Sequence, residues 1–316
     1  MKVKHSLVVP CYNEEGNVEK FLEVAKSAML GYTDSYEIIF VNDGSRDETA
    51  KKLRRLFNEA ENVNIKVITF SRNFGKEAAI YAGFTESSGE YVTIIDADLQ
   101  QDPSYAVQMG RILDENPDCD MVAAFQQERK EGKLISFCKR SFYKWINKAS
   151  EVDFISDASD FRTVRRCVVE TILALPEYHR FSKGIFSWVG YNTVAIPYEV
   201  KERYCGDTKW GFSKLFRYAL DGIVAYTDAP LRLPVYAGAF MGILSLIVFA
   251  AVVATDYFVV DYAAAVGYLA GLVLFVGSVI CMLLGIVGCY IGKIHTQVKQ
   301  RPIYIAKEIL TYDDKN

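Results

Sequence analysis

The chain has 316 residues, 51% of them hydrophobic, and its formal net charge is −3 at pH 7. This length fits one large domain with an appendage or two small domains, and the charge excludes the global basic field that points to nucleic acid. The seven cysteines are odd in number and form no Cys-x-x-Cys pair, so a disulfide framework or a zinc site is not expected and a reducing compartment fits better.

The first 125 residues alternate between strand-like and helix-like hydrophobic patterns. Runs rich in β-branched residues predict five strands, at residues 6–9, 36–41, 65–70, 91–95 and 121–125. Between them, apolar residues recur every three or four positions, which predicts amphipathic helices. This alternation predicts an α/β domain with a mainly parallel sheet. Such sheets bind ligands at the carboxyl ends of their strands, where four polar clusters of this sequence fall.

The strongest polar cluster, DADLQQDP at residues 96–103, follows the fourth predicted strand. Two carboxylates one residue apart, Asp96 and Asp98, can face one hard cation together with diphosphate oxygens, as is usual for magnesium. The alternative is a solvated acidic turn, because aspartate is common in turns. The position behind a buried strand, with Gln100 following, favours the metal site.

Two further clusters follow the first and second strands, PCYNEE at residues 10–15 and NDGSRD at residues 42–47. The Asp43 carboxylate can accept a hydrogen bond from a base N–H or from ribose hydroxyls, and the Tyr12 ring can stack on a base. The alternative is that both loops cap the helices that follow them. The two roles are compatible, because loops at strand ends often cap the next helix.

The fourth cluster, SRNFGKE at residues 71–77, follows the third strand. Arg72 and Lys76 place positive charge beside a predicted helix start, which suits a phosphate group. The alternative is an ordinary loop whose basic side chains are solvated. We favour the phosphate interpretation.

A basic and aromatic stretch at residues 129–150 has the pattern of an amphipathic helix. Its basic side chains are Lys133, Lys139, Arg140, Lys144 and Lys148. One interpretation is a surface helix packed on the domain. The favoured one is a helix in the membrane interface, with lysine and arginine on anionic headgroups and aromatic rings at the boundary. Residues 212–226 are a second candidate for such a helix.

Two long stretches without charge, at residues 234–255 and 262–292, predict two transmembrane helices within residues 233–292. At about 1.5 Å rise per residue, each exceeds the roughly 30 Å of a bilayer's hydrocarbon core. The loop between them has aspartates but no lysine or arginine, whereas basic residues flank both outer ends. The positive-inside rule therefore predicts a cytoplasmic domain at residues 1–232 and a cytoplasmic tail at residues 293–316.

Together these stretches resemble family 2 glycosyltransferases, and among them the polyprenyl-phosphate glycosyltransferases, the group of dolichyl-phosphate mannose synthase and bactoprenol glucosyltransferase. The matching stretches are VVPCYNEEGN, FVNDGSRDET, SRNFGKEAAIYAGF, DADLQQDP, DASDFRTVRR, HRFSKGIFSWVGY and RYCGDTKWGFSKL, followed by the two apolar runs. The resemblance implies a GT-A fold, a divalent cation (Mg²⁺ or Mn²⁺) and an inverting direct displacement. It also implies an inner-membrane location and a homo-oligomer, in the form of a tetramer.

The resemblance also implies a role for individual residues of this sequence. The nucleotide-sugar site would comprise Pro10, Tyr12, Asn13, Glu14, Asp43, Lys76, Asp96, Asp98, Arg203, Lys209 and Trp210. The acceptor site would comprise Arg162, Arg180 and Lys183, and the repulsion between the anionic acceptor and the diphosphate donor adds Arg140 to it. The metal ligands would be Asp98 and Gln100. The catalytic residues would be Asp157, Asp96, Arg203 and Lys209, with Asp157 as the candidate general base.

A phosphate acceptor changes what Asp157 has to do. A hydroxyl acceptor needs a base, but a phosphate with a second pKa near 6 is mostly ionised at pH 7. We therefore expect Asp157 to position the acceptor or the metal. Basic residues that neutralise the two approaching anions should matter more, and Arg140, Arg203 and Lys209 are the natural choices.

The predicted activity is the transfer of a hexose from a nucleotide-sugar, UDP-glucose first, to a polyprenyl phosphate such as undecaprenyl phosphate. N-acetylglucosamine, amino-arabinose and mannose donors stay open, as does GDP in place of UDP. A processive polysaccharide synthase would have a Gln-x-x-Arg-Trp motif, which this sequence lacks. A catalytically dead adaptor would have lost Asp43, Asp96 or Asp98, which are present. Nucleic acid is not expected as a partner.

Overall fold

The computed structural model describes residues 3–60, 63–126, 158–201, 204–205, 229–254 and 262–312. The strands are β1 (His5–Cys11), β2 (Tyr36–Asn42), β3 (Asn64–Phe70), β4 (Tyr91–Ile94), β5 (Met121–Gln126), β6 (Ala158–Arg165), β7 (Thr193–Tyr198) and β8 (Ala306–Leu310). The helices are α1 (Val18–Leu30), α2 (Thr49–Glu59), α3 (Lys76–Glu86), α4 (Ser104–Glu115), α5 (Arg166–Ala174), α6 (Ser182–Trp188), α7 (Ala229–Ala254) and α8 (Tyr262–Val298). The amphipathic helices predicted at 129–150 and 212–226 lie outside the described residues.

The described strands form one sheet in the order β7-β5-β6-β4-β1-β2-β3-β8. Strand β1 pairs in parallel with β2 and β4, β2 with β3, and β5 with β7. Strands β6 and β8 run antiparallel to their neighbours. The predicted α/β fold with a mainly parallel sheet is confirmed, and all five predicted strands are present. Strands β6, β7 and β8 were not predicted.

The apolar runs of β1 and β2 arise because both faces of the sheet are covered. Leu7 and Val9 belong to the apolar cluster on the face of α1, α2 and α4, whereas Val8 belongs to the cluster on the opposite face. Strands buried on both faces form near-continuous apolar runs, so the centres of β1 and β2 lack polar alternation. Helix α3 lies close on the second face. A Cβ on Gly83 would come within 2.1 Å of Val8 Cγ1, so this helix position requires glycine.

Helices α7 and α8 coincide with the two predicted apolar runs. Apolar side chains on both are largely exposed, for example Phe240 at 66% and Met282 at 69%, and exposed apolar surface of this extent marks a protein or membrane contact. Among the described residues, one helical stretch, Gly271–Val298, is long and apolar enough to cross a membrane, while α7 contributes a shorter apolar stretch, Pro234–Leu244. A two-span topology stays a prediction.

The chain returns to the sheet after α8. Strand β8 pairs antiparallel with β3, and the Tyr304 ring stacks on Phe70 at a centroid distance of 4.9 Å. Residues 293–316, which the sequence patterns assign to a tail, therefore contribute an edge strand to the sheet. Strand β8 could not be predicted from the local sequence, because a strand of five residues gains its stability from a partner strand far away in the sequence.

Candidate active site

The loops that follow β1, β2 and β3 are joined to one another by hydrogen bonds, as expected for neighbouring carboxyl ends of parallel strands. The Asn13 N–H donates to Ser45 Oγ at 3.0 Å, and the Arg46 N–H donates to Asn13 Oδ1 at 2.9 Å. The Asp43 carboxylate accepts the Phe74 N–H at 2.6 Å and the Gly75 N–H at 3.0 Å. Three of the predicted clusters therefore form one continuous site.

Asp43, predicted to hold the nucleoside, also shapes the site. It is 3% exposed; burial raises its pKa, and the two backbone N–H donors oppose that shift. The neighbouring Gly44 has φ +61°, and a Cβ there would approach the Arg72 carbonyl carbon to 2.3 Å. Only glycine allows the loops after β2 and β3 to pack backbone against backbone at this point.

Lys76, the first residue of α3, joins two carboxylates. Its Nζ lies 2.7 Å from Asp96 Oδ1 and 3.2 Å from Asp160 Oδ2. Burial alone would lower the pKa of Lys76, but the charges of Asp96 and Asp160 outweigh burial and raise that pKa above its ordinary value. Lys76 is therefore a permanent cation between the end of β4 and strand β6. We call this arrangement the Lys76 bridge.

Asp160 is a site residue that the sequence patterns did not identify. It lies in the DASDFR stretch, in which Asp157 and Arg162 were the predicted residues. Burial would raise the pKa of Asp160, but Lys76, Lys183 and Arg162 lower it, so the carboxylate stays ionised. The sequence contained a signal that could have identified Asp160, because residues two apart on a strand share one face. This places Asp160 on the face of Arg162, while Phe161 between them packs into the core.

The acidic turn after β4 is held by its own side chains. The Asp96 N–H donates to Gln101 Oε1 at 3.0 Å, and the Gln100 N–H donates to Asp98 Oδ1 at 3.2 Å. Leu99, at the centre of the turn, has φ +60°, a left-handed conformation that is uncommon for a residue with a Cβ. Its side chain packs against the core, and this packing fixes the turn.

The donor atoms of this turn fit a divalent cation. Within the part of the chain that the structure describes, no group of three or more His, Cys, Asp or Glu side chains is arranged to hold a metal ion. Magnesium and manganese sites of the kind expected here use one or two carboxylates, several waters and substrate phosphates. Asp96 and Asp98 provide two carboxylates. Because Asp96 is paired with Lys76, the assignment of Asp98 as the ligand for such an ion stays a prediction.

The segment that leads into the RYCGDTKW stretch lies against the acidic turn. The Lys201 N–H donates to the Gln100 carbonyl at 3.1 Å, and the Tyr204 N–H donates to the Asp98 carbonyl at 3.3 Å. Lys201 Nζ also forms an ion pair with Asp102. Five of the predicted site residues lie outside the described part of the chain. They are Arg140, Asp157, Arg203, Lys209 and Trp210.

Glu77 joins the Lys76 bridge to helix α6. Its carboxylate oxygens accept the Ser182 N–H at 3.1 and 3.0 Å and also accept the Ser182 hydroxyl. Burial and the charge of Asp160 raise the pKa of Glu77 to about 7, against the hydrogen bonds from Ser182 and the charge of Lys76. No sequence pattern pointed to Glu77, since a glutamate in a helix's first turn is ordinary.

Two of the predicted acceptor residues support the site from within. Arg162 is 4% exposed and its guanidinium lies 3.9 Å from the centre of the Phe186 ring. Burial lowers its pKa to about 10, against the charges of Asp160 and Glu77. Arg180 donates to the Ile172 carbonyl at 3.0 Å. Their placement favours support of Asp160 and of the end of α5 over direct contact with an acceptor.

The remaining predicted residues lie at the expected edge of the sheet. Pro10 and Tyr12 are half-buried at the end of β1. Glu14 is held through its N–H, which donates to Thr49 Oγ1 at 2.8 Å. Lys183 acts electrostatically on Asp160. The structure therefore brings the described residues that were predicted for the nucleotide-sugar and the metal together with Lys183.

We expect Glu77→Gln to flatten part of the pH dependence of stability. The Glu77 pKa is about 7 in the folded chain, against 4.5 for the ordinary group. The folded state therefore holds a proton that the unfolded state releases, so wild-type stability falls as pH rises from about 4.5 to 7. Glutamine stays neutral. Relative to wild type, the variant should gain about 3 kcal/mol over this range.

The measurement is chemical unfolding of the detergent-solubilised full chain at several pH values. Glu23→Gln is the matched control, because the Glu23 side chain is 71% exposed. If both variants show the same pH dependence relative to wild type, the raised pKa of Glu77 is wrong.

The fold and the site together describe an α/β protein with an acidic, lysine-containing site at the carboxyl edge of its sheet, where such sheets bind nucleotides. Residues 6–171, more than half of the chain, match the family described as Glycosyl transferase family 2. The chain therefore belongs to family 2 of the glycosyltransferases and is a glycosyltransferase enzyme. The predicted family is confirmed.

Two similar proteins align with nearly the whole chain, and a solved structure aligns with part of it. A Bacillus subtilis (strain 168) protein named as a glycosyltransferase, CsbB, is 41% identical, covering 96% of this chain and 91% of that protein. The SfII prophage-derived bactoprenol glucosyl transferase of Shigella flexneri is 37% identical, covering 97% and 98%. Glucosyl-3-phosphoglycerate synthase from Mycobacterium tuberculosis, in complex with Mn²⁺, uridine-diphosphate and phosphoglyceric acid, has a TM-score of 0.48 and 17% identity, covering 70% and 76%.

Proposed function

We propose that this glycosyltransferase moves a hexose, glucose first among the candidates, from a UDP-sugar to a polyprenyl phosphate such as undecaprenyl phosphate, at the cytoplasmic face of the inner membrane. The observation that carries the proposal is the Lys76 bridge, which joins the acidic turn on the donor side to Asp160 beside Lys183 on the acceptor side. The near full-length similarity to a bactoprenol glucosyl transferase supports the same acceptor class.

Asp43 orients the nucleoside in this proposal. A carboxylate has about four lone-pair positions, and the Phe74 and Gly75 N–H groups account for two of them. The remaining positions can accept from ribose hydroxyls or a base N–H. Because two backbone donors already fix the carboxylate, it need not reorganise when the donor binds.

Asp98, assisted by Gln100, would hold the divalent cation, which when bound neutralises diphosphate charge and favours departure of the nucleotide. Lys76 would also help to neutralise diphosphate charge, because its fixed positive charge lies at the same turn. Positive charge placed beforehand where negative charge develops is usually the largest single contribution to catalysis. Asp96 is held by Lys76 and is positioned to contact the sugar.

The acceptor phosphate arrives already ionised, so its attack needs little help from a general base. Charge repulsion between the acceptor and the diphosphate is then the larger obstacle. Lys183 lies on this side of the site, and we assign Arg140, Arg203 and Lys209 to the same task. Asp157 would position the acceptor. The reaction is one displacement, in which the phosphate oxygen bonds to the anomeric carbon as the bond to the UDP oxygen breaks.

The membrane location follows from the apolar helices in this proposal. Exposed apolar side chains along α8 suit a lipid environment, and the prenyl tail of the acceptor remains in that environment. We propose that α7 and α8 both span the membrane and that both ends of the chain lie in the cytoplasm. A homo-oligomer, in the form of a tetramer, is part of the proposal on the ground of resemblance alone.

We expect a UDP-α-sugar to give a β-linked polyprenyl phosphate, because a single displacement inverts the anomeric centre. The test is incubation of the purified full chain with undecaprenyl phosphate and a panel of UDP- and GDP-sugars, followed by proton NMR of the product's anomeric centre. An α-linked product would refute the single displacement. Absence of transfer from every donor in the panel would refute the proposed function.

A further inference from the structure

The end of α8 contacts the loop before α6 through one side chain. Gln297 Oε1 accepts the Tyr178 N–H at 2.8 Å, and Gln297 Nε2 donates to the Pro176 carbonyl at 2.6 Å. A primary amide can do both because it has an acceptor and donors side by side. The two partners are main-chain groups, so Gln297 fixes the course of the loop itself.

The segment after α8 contacts the domain at a second, separate place. Ile303 and Tyr304 pack against the apolar cluster on the α3 side of the sheet. The Ser71 N–H donates to the Ile305 carbonyl at 3.0 Å, directly before β8 pairs with β3. Ser71 begins the loop that supplies the Phe74 N–H to Asp43, so this contact lies at the base of the donor side.

The first contact leads to the Lys76 bridge. The loop that Gln297 holds continues directly into α6, whose first residue is Ser182. Ser182 donates to Glu77, and Glu77 follows Lys76 in the first turn of α3. The contact at the end of α8 and the contact of the segment after it are therefore both close to the site, one on its acceptor side and one on its donor side.

We propose that Gln297 is a positioning residue that holds the loop Leu175–Phe181 against the end of the apolar helix, and so sets the height and tilt of the site above the membrane. Within the described part of the chain, the packed β8 segment is one attachment of α8 to the domain, and Gln297 adds a second attachment that restricts rotation about the first. The inference rests on the proposed function, because only an acceptor embedded in a membrane requires a fixed height. Small misplacements of reacting groups are costly to rate.

Two substitutions separate the hydrogen bonds from the packing. Gln297→Ala removes both bonds. Gln297→Glu keeps an acceptor for the Tyr178 N–H but places a carboxylate oxygen against the Pro176 carbonyl, which repels it. Val298→Ala is the matched control, because Val298 is the next residue on α8 and is 73% exposed.

The readouts are transfer to undecaprenyl phosphate in anionic liposomes, transfer to a short water-soluble prenyl phosphate, and donor affinity by calorimetry, all with the full chain. On the embedded acceptor we expect losses of about 3-fold or more for Gln297→Ala and about 10-fold or more for Gln297→Glu. On the soluble acceptor both variants and the control should stay within about 2-fold of wild type, as should donor affinity.

Three outcomes would overturn the positioning role. They are full activity of Gln297→Glu on the embedded acceptor, equal losses on both acceptors, and an equal loss for Val298→Ala. Failure of the proposed function has a different signature, because wild type itself would then transfer sugar to neither prenyl phosphate.

Discussion

Replacing Lys76 with methionine should lower the rate of sugar transfer by about 100-fold or more, the usual effect of removing one preorganised electrostatic group from an active site. Methionine keeps most of the side chain's length but removes the cation that lies 2.7 Å from Asp96 and 3.2 Å from Asp160. Two carboxylates then repel each other, and the incoming diphosphate meets them without a fixed positive charge. The measurement is steady-state transfer at saturating donor.

The control for Lys76→Met is Lys51→Met, because the Lys51 side chain is 79% exposed and pairs with Glu48 one turn away. The double variant Lys76→Met with Asp160→Asn separates activity from stability. It should unfold less readily than Lys76→Met, since one unpaired charge is gone, yet stay inactive. Wild-type turnover by folded Lys76→Met would remove the Lys76 bridge from the mechanism.

Asp98→Asn should lower transfer by about 100-fold and weaken the dependence of donor affinity on divalent cation, since a charged oxygen ligand is replaced by a neutral amide. The fold should be retained. Asp98 accepts the Gln100 N–H through one oxygen, and the asparagine carbonyl can accept the same bond. Calorimetric titration of a UDP-sugar at graded Mg²⁺ and Mn²⁺ concentrations measures the effect.

Asp118→Asn is the matched control for Asp98→Asn, because Asp118 is exposed in the turn after α4. The same panel should include wild type in excess chelator. If wild-type turnover is undiminished in excess chelator, the metal assignment is wrong. A folded Asp98→Asn chain with normal metal dependence would instead move the ligand role to another residue.

The chain contains further buried polar groups that serve the sheet. His5, fully buried, contacts Thr93 Oγ1 at 2.6 Å, and burial lowers its pKa to about 3, so it stays neutral. Glu37, also fully buried, pairs with Lys66 at 3.0 Å and accepts from Ser6. Both lie toward the start of their strands, away from the carboxyl edge. Buried polar groups cost less free energy when they have partners, as His5 Nε2 and both Glu37 oxygens have, whereas His5 Nδ1 has no hydrogen-bond partner within the described part of the chain.

The sequence alone determined the class of fold, the five predicted strands and the position of the polar clusters. These features depend on backbone periodicity, since a strand or an amphipathic helix repeats every two or about 3.6 residues and leaves that period in the chain. The carboxyl edge of a parallel sheet then gathers the loops that follow its strands. Asp43, Lys76, Asp96 and Asp98 were identified for this reason, and the family resemblance followed from the same stretches.

Only the tertiary structure decided which of these residues are partners. The pairing of Lys76 with Asp160 depends on β6 lying beside β4, and the bond between Ser182 and Glu77 joins residues 105 positions apart. Gln297 and Pro176 are 121 positions apart. No local pattern encodes such contacts, because they depend on which strands become neighbours and how helices pack over them. Long-range packing therefore places an ordinary glutamate, an unassigned aspartate and the segment after α8 beside the candidate site.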